Sequence, residues 1–331
     1  MFGMKPKVQE APKEEAPVKE KRRPKIGLAL GSGIARGWAH IGLMRVFDKY
    51  NIRPDVIAGT SIGAVVGGMY LAGKLDELEA WARSLKRVKL MKYLDFTVKT
   101  GGLITGKNLD QELANTLGDV LIEDLPTPFA CIATDLLTGH EIWLKEGPLK
   151  DRLRASFSLP GIFAPVLHNE QWLVDGALVN PIPVSTCYAM GAEIVIAVNL
   201  SGDMIGKSRK PGKNYQTIAG FDVIDFLESD QSSPGTGILT RFAKNLFSRD
   251  YDGPSMMGAM VASLGIIQDR ISRSRIAGDP PDVHIVPKVG HIGIMEFERC
   301  DELIALGETA AIKALPDIKD ALSIYGADID I

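Results

Sequence analysis

Residues 26–63, IGLALGSGIARGWAHIGLMRVFDKYNIRPDVIAGTSIG, decide the fold of this chain. The opening run IGLAL is short, apolar and uncharged, as a strand buried on both faces must be, and it ends in Gly31-Ser32-Gly33. Ile41, Leu43, Met44 and Phe47 then recur near helical spacing within residues 36–50, and Asn51 closes that helix. Residues 56–58 read as a second strand, 59–63 as a turn and 64–71 as a second helix. Strand, helix, strand and helix in succession predict an α/β architecture around a mostly parallel central sheet.

Moving outward, residues 129–134 and 140–145 flank the turn Leu137-Thr138-Gly139 and predict a hairpin or two adjacent strands. The run EIVIAV at 193–198 and residues 283–286 predict further strands, and 256–275 and 297–315 predict closing helices. The stretch 201–254 is rich in Gly, Ser, Pro and Lys and reads as a long insertion or flap in a domain covering 26–331. Within it, Ile238, Leu239, Phe242 and Leu246 fall near one helical face, which suits peripheral contact with a membrane or packing on the domain or a second subunit. Residues 1–25 mix Lys, Glu and Pro with almost no aliphatic side chains and predict a disordered tail without a signal peptide. Its KRRPK end, 21–25, reads as a solvated leader, with an anionic lipid surface as the alternative.

Composition narrows the function. The chain has 331 residues, 45% of them apolar and 24% charged, as in ordinary globular proteins. Lys and Arg number 38 against 41 Asp and Glu, so there is no global positive field to hold nucleic acid. Cys131, Cys187 and Cys300 are far apart and form no C-x-x-C, which predicts reduced packing residues in a cytoplasmic setting. No EF-hand spacing or His/Cys ligand cluster is present, so neither metal nor cofactor is expected. Residues 56–73 carry no charge and approach the length of a membrane span, but their five glycines fit a strand, tight turn and close-packed helix better.

Two turns carry chemistry. Gly59-Thr60-Ser61-Ile62-Gly63 matches G-x-S-x-G between a strand and a helix, where a sharp elbow exposes a serine hydroxyl; a plain glycine turn with a capping serine is the bland reading. The first turn, Gly31-Ser32-Gly33-Ile34-Ala35-Arg36-Gly37, directs backbone N–H groups at one spot and suits an anion. That anion is either a nucleotide pyrophosphate or an acyl-transfer oxyanion. The dinucleotide fingerprint would place a third glycine where Arg36 stands and an acidic residue after the second strand, and this chain has neither. A serine needs a base. None of the five histidines lies in a triad context, His40 reads as a packing or capping residue, and Asp175 in WLVDGA is the carboxylate to look for.

Together, GLALGSGIARGWAHIG (27–42), the elbow, ASFSLPGIFAP (155–165) and Asp175-Gly176-Ala177 followed by Asn180-Pro181-Ile182-Pro183 resemble the four ordered blocks of the patatin-like phospholipases, nearest the bacterial RssA-type members of the neuropathy target esterase branch. The resemblance implies a three-layer α/β/α fold and a Ser61–Asp175 dyad, with an oxyanion hole drawn from Gly31, Gly33, Ile34, Arg36 and Gly37 and elbow glycines Gly59 and Gly63. Ser32 and Ile34 replace glycines of the family's loop, so the donor amides are not fixed by alignment. Phe157, Leu159, Ile162 and Phe163 are expected to shape the pocket, with Arg152 and Arg154 either meeting a phosphate or solvated. The implied activity is hydrolysis of phospholipid or lysophospholipid esters through an acyl-enzyme, at the cytoplasm or the inner membrane face. Hydrolysis of soluble acyl esters or thioesters, or a low-turnover regulatory role, are the alternatives. The sequence leaves oligomeric state open.

Overall fold

A computed structural model describes residues 22–85, 106–203 and 256–325. Strand β1 (Ile26–Leu30) leads through a 3-10 turn (Ile34–Trp38) into α1 (Ala39–Lys49), then β2 (Val56–Thr60) into α2 (Ile62–Leu71) and α3 (Leu75–Ser84). Next come α4 (Lys107–Leu117), the hairpin β3 (Phe129–Asp135) and β4 (Glu141–Leu144), and α5 (Leu149–Ser156). Strands β5 (Val166–His168) and β6 (Gln171–Asp175), α6 (Val184–Ala189), β7 (Ile194–Val198), α7 (Met256–Gly278), β8 (Val283–Ile285) and α8 (Cys300–Ser323) complete the described chain.

The sheet runs β5-β6-β3-β2-β1-β7-β8, with β4 also paired to β3. Strands β3, β2, β1, β7 and β8 are parallel, while β4, β6 and β5 join antiparallel. Register explains the layering. Ala29 lies beside Ala58 and Ala197, and Ala58 beside Ala130, so a row of alanines crosses the four central strands on one face. These small side chains share a cluster with Ile182, Val184 and Cys187 of the α6 region. The other face presents Leu28, Leu30, Ile57 and Ile196 to a larger core that includes Phe47, Val66 and Leu303. Helices on both faces leave the central strands fully buried, which is why they read as unbroken apolar runs.

Several expectations shift. Strand β2 continues through Gly59 to Thr60, so the turn after it is tighter than 59–63. Helix α2 begins at Ile62 rather than 64, because the elbow reverses the chain within one residue. Helix α8 does not stop at Leu315 but runs through Pro316 to Ser323, where Ile318 and Leu322 are buried. Burial there outweighs the hydrogen bond that proline removes. The short β5 was not legible.

The expected tail boundary at residue 25 also moves. Arg22 donates to Glu193 at 2.7 Å and Arg23 to Asp55 at 2.9 Å, so these two cations of the KRRPK run already have carboxylate partners. The rest of the tail, nearly all of the 201–254 insertion and its Phe242–Leu246 face lie outside the described residues. Among the described residues no helix is long and apolar enough to cross a membrane, and none of the three cysteines is in a disulfide.

Candidate active site

Ser61 stands between β2 and α2 with φ 57° and ψ −124°, a left-handed conformation that a serine adopts only under constraint. The constraint is packing at the two flanking glycines. A Cβ on Gly59 would come within 2.5 Å of the Ala64 Cα, and one on Gly63 would collide with the carbonyl of Leu30. The turn is therefore pressed against α2 on one side and β1 on the other. Ser61 N–H donates to Ser156 Oγ at 2.9 Å, and that hydroxyl donates onward to the Ile132 carbonyl at 2.6 Å. Strain at the elbow is held by these fixed partners.

Asp175 ends β6, the antiparallel neighbour of β3. Its Oδ2 accepts from Ser61 Oγ at 2.6 Å and its Oδ1 from Ala177 N–H at 2.8 Å. Its backbone is fixed as well: the N–H donates to Ser158 O at 3.0 Å, and the carbonyl accepts from Thr134 Oγ1 at 2.9 Å. The carboxyl is 2% exposed, and burial raises it from 3.8 to about 7 against the lowering effect of its two donors. A carboxylate at that value changes protonation near neutral pH, where a general base is most effective.

The first turn uses its groups selectively. Gly31 N–H donates to Val198 O at 3.1 Å, Ser32 N–H to Pro181 O at 2.9 Å, Ala35 N–H to Ile294 O at 3.1 Å and Arg36 N–H to Gly33 O at 3.1 Å. Gly37 lies inside the 3-10 turn, and a Cβ there would strike Ile62. Of the five residues proposed for an oxyanion hole, then, Gly31 and Arg36 have spent their backbone donors and Gly37 serves packing. Among the described residues, Gly33 and Ile34 N–H have no acceptor, and Ile34 borders the same pocket as Ser61 and Asp175. Ile34 sits at φ 51°, a costly state for a β-branched residue.

Two buried side chains, those of Arg36 and His40, clamp this turn. The Arg36 guanidinium donates through Nε at 2.8 Å and Nη2 at 2.5 Å to the Ile292 carbonyl; burial lowers it to about 10, with Glu296 and Asp203 opposing. His40, fully buried, lies with Nε2 2.8 Å from Gly31 O. A carbonyl only accepts, so Nε2 carries the proton, and burial brings the ring down to about 4, which keeps it neutral at physiological pH. His40 is thus a support of the loop and does not touch Ser61 Oγ.

Phe157, Leu159, Ile162 and Phe163 line a cavity of about 1100 Å³, counting its open mouth, together with Ser61, Asp175 and residues of α2, α3 and α4. Its lining is overwhelmingly apolar. Arg154, read as solvated or phosphate-binding, is instead 9% exposed, 2.8 Å from Asp110 and stacked over Phe157 and Phe163 at 5.3 and 5.0 Å. Arg152 donates to the Glu146 carbonyl at 2.7 Å and is not among the residues that line the cavity. Ser156 and Ser158 of the ASFSLPG block were not legible as site residues, because their contacts to Ser61 N–H and Asp175 N–H span distant parts of the chain. The contributions of α3 and α4 carried no motif. Among the described residues no group of three or more His, Cys, Asp or Glu side chains could hold a metal.

The patatin-like phospholipase family model matches residues 28–188, and the architecture is the patatin fold, a three-layer α/β/α sandwich. Uncharacterized NTE family proteins of Mycobacterium tuberculosis and Mycobacterium bovis are each 34% identical over 329 residues, covering 88% of this chain and 91% of theirs. The lysophospholipase nte1 of Emericella nidulans is 26% identical over 304 residues, 90% of this chain but 18% of that much longer protein. The chain belongs to the patatin-like phospholipases, a family of lipid ester hydrolases, in their NTE branch.

Proposed function

We propose that this chain is a serine acyl hydrolase that cleaves carboxylic esters of phospholipids or lysophospholipids with a Ser61–Asp175 dyad. The observation that carries the reading is the 2.6 Å hydrogen bond from Ser61 Oγ to Asp175 at the edge of an apolar cavity. Ser61 Oγ attacks the ester carbonyl carbon while its proton passes to Asp175. The carbonyl oxygen becomes an oxyanion, for which the unpaired N–H groups of Gly33 and Ile34 are the available donors. Each such donor is worth about 10²–10³ in turnover where one has been removed. Collapse breaks the bond to the alcohol, which leaves with the proton held by Asp175. Water then attacks the acyl-enzyme, gives its proton to Asp175 and releases the carboxylic acid, and Ser61 recovers its proton.

Fluorophosphonate labelling tests the reading. Wild-type protein becomes labelled at Ser61 and releases fatty acid from a lysophospholipid, whereas folded Ser61→Ala does neither. An unlabelled wild-type protein would favour the low-turnover regulatory alternative, and a labelled, active Ser61→Ala protein would refute the dyad.

A further inference from the structure

The turn that follows Asp175 carries half of that residue's setting. Ala177 N–H donates to the Asp175 carboxyl, and the N–H groups of Val179 and Asn180 both donate to Gly176 O, at 3.1 and 2.9 Å, so residues 175–180 fold on themselves. One side of the turn is pressed on β3: a Cβ on Gly176 would lie 2.3 Å from the Ile132 carbonyl oxygen. Its other ties lead to one carboxylate. Glu141 opens β4, opposite Thr134. Alternation along the strand sends Ile142 and Leu144 to the larger core and Glu141 to the other face. There its side chain, 17% exposed, gathers four donors from four parts of the chain. Oε1 accepts from Trp143 Nε1 at 2.7 Å, Asn180 Nδ2 at 2.9 Å and Thr186 Oγ1 of α6 at 3.4 Å, and Oε2 accepts from Arg275 Nη2 of α7 at 3.2 Å. Desolvating a carboxylate is costly, and an apolar side chain fills such a space at lower cost.

Two of the four donors lead back to the dyad. Asn180, 1% exposed, gives its side-chain amide to Glu141, while its backbone carbonyl accepts from Thr60 Oγ1 at 2.8 Å. Thr60 is the residue before Ser61, so this bond ties the elbow to the turn behind Asp175. A carboxylate only accepts, so Glu141 also fixes which way the Asn180 amide lies. Arg275 makes the second link: its Nε donates to Val179 O at 3.1 Å while its Nη2 reaches Glu141. Glu141 therefore holds the 176–180 turn directly and through Arg275, and that turn holds Thr60. Glu141, Asn180 and Arg275 are not among the residues that line the cavity.

We infer that Glu141 is a positioning residue for the Ser61–Asp175 pair: it fixes the 176–180 turn against the end of β2 and so keeps serine and carboxyl at 2.6 Å, without touching substrate. A misplacement of about 1 Å between reacting groups costs about 10²-fold in rate. The loss of Glu141 therefore acts on turnover and leaves substrate affinity in place. The inference rests on the proposed dyad and adds to it the group that holds its two members together.

The test uses the full chain and p-nitrophenyl butyrate. Glu141→Ala lowers kcat by about thirtyfold, within the range that such misplacement produces, with KM nearly constant. Glu141→Gln, which keeps an oxygen for Asn180 and Trp143, recovers most of that loss. The pH profile supplies a sign. Burial raises the Asp175 carboxyl and the Ser61 hydrogen bond lowers it, so a lengthened bond moves the acid limb of kcat/KM upward, whereas water entering a damaged site moves it downward. Arg275→Met, at a side chain 37% exposed, gives a smaller loss with the same signs and serves if Glu141→Ala does not fold. Unchanged kcat in the variants that fold, a loss carried by KM, a glutamine variant no better than alanine, or an acid limb that stays or falls overturns the positioning role. Fluorophosphonate labelling of the wild type and of Ser61→Ala, run in parallel, separates the two readings. Label absent from the wild type, or present in Ser61→Ala, refutes the dyad and the inference with it; label on wild-type Ser61 alone leaves the Glu141 variants to decide the inference.

Discussion

The two strand-to-helix turns of this protein lie side by side, after the adjacent parallel strands β1 and β2, and each forces a non-glycine residue into left-handed backbone: Ile34 at φ 51° and Ser61 at φ 57°. They spend their groups in opposite ways. At the elbow the backbone N–H of Ser61 is tied to Ser156 and the side-chain oxygen is presented to Asp175. At the first turn the Arg36 and His40 side chains act as clamps and the backbone donors of Gly33 and Ile34 are left over. One turn offers a side chain and the other offers backbone. Substitutions should therefore be severe at the elbow and mild at the loop, except where they disturb what holds the loop.

The largest effect is expected from Ser61→Ala, which should lower turnover by roughly 10⁶-fold, near the loss seen when another serine hydrolase loses its nucleophile. The far-UV spectrum and the melting temperature should change little. Survival of more than a few per cent of activity would end the contrast.

Asp175→Asn comes next, with a loss of roughly 10³-fold, since an amide cannot take the serine proton. In the wild type kcat/KM should fall as pH drops through about 7, where burial has placed this carboxyl. Stability carries the opposite sign. The folded carboxyl keeps its proton between 3.8 and about 7 while the unfolded one has lost it, so stability declines as pH rises through that window. Asp175→Asn should remove this decline, as denaturant titrations at pH 5 and pH 8 would show; a steeper decline in the variant would contradict the assignment.

His40→Ala strips the Gly31 carbonyl of its buried donor and should cost about 1–3 kcal/mol of stability. Turnover should drop by about tenfold with KM nearly constant, since loosened loop donors weaken transition-state binding. His40→Gln, which can still donate, should recover most of that loss. The acid limb of the pH profile should stay in place in both variants, because the ring is already neutral; a shifted limb would make His40 a proton carrier.

Ile34→Gly should have the smallest effect. It keeps the N–H and relieves about 1 kcal/mol of backbone strain, which is offset by roughly 0.5–1 kcal/mol of added unfolded-state entropy. Activity within about threefold of wild type would show that this turn works through its backbone. A hundredfold loss would mean that the isoleucine side chain itself shapes the site.

The sequence carried the parts of this protein that repeat a local pattern. Buried parallel strands need unbroken apolar runs, so β1, β2 and β7 were legible to within two residues. A sharp elbow needs glycines where backbone approaches backbone, so Ser61 was legible from its neighbours, and the position of Asp175 came from the order of four short blocks. Tertiary structure alone decided the rest. Whether a backbone N–H is free depends on which distant carbonyl it meets: Val198 and Pro181 silence Gly31 and Ser32 and leave Gly33 and Ile34. The apolar residues of α2, α3 and α4 have the same helical period whether they bury against a core or line a cavity, and only their placement around one space distinguishes the two. The value of about 7 for Asp175 arises from burial by elements far apart in the chain, which no local reading of WLVDGA contains.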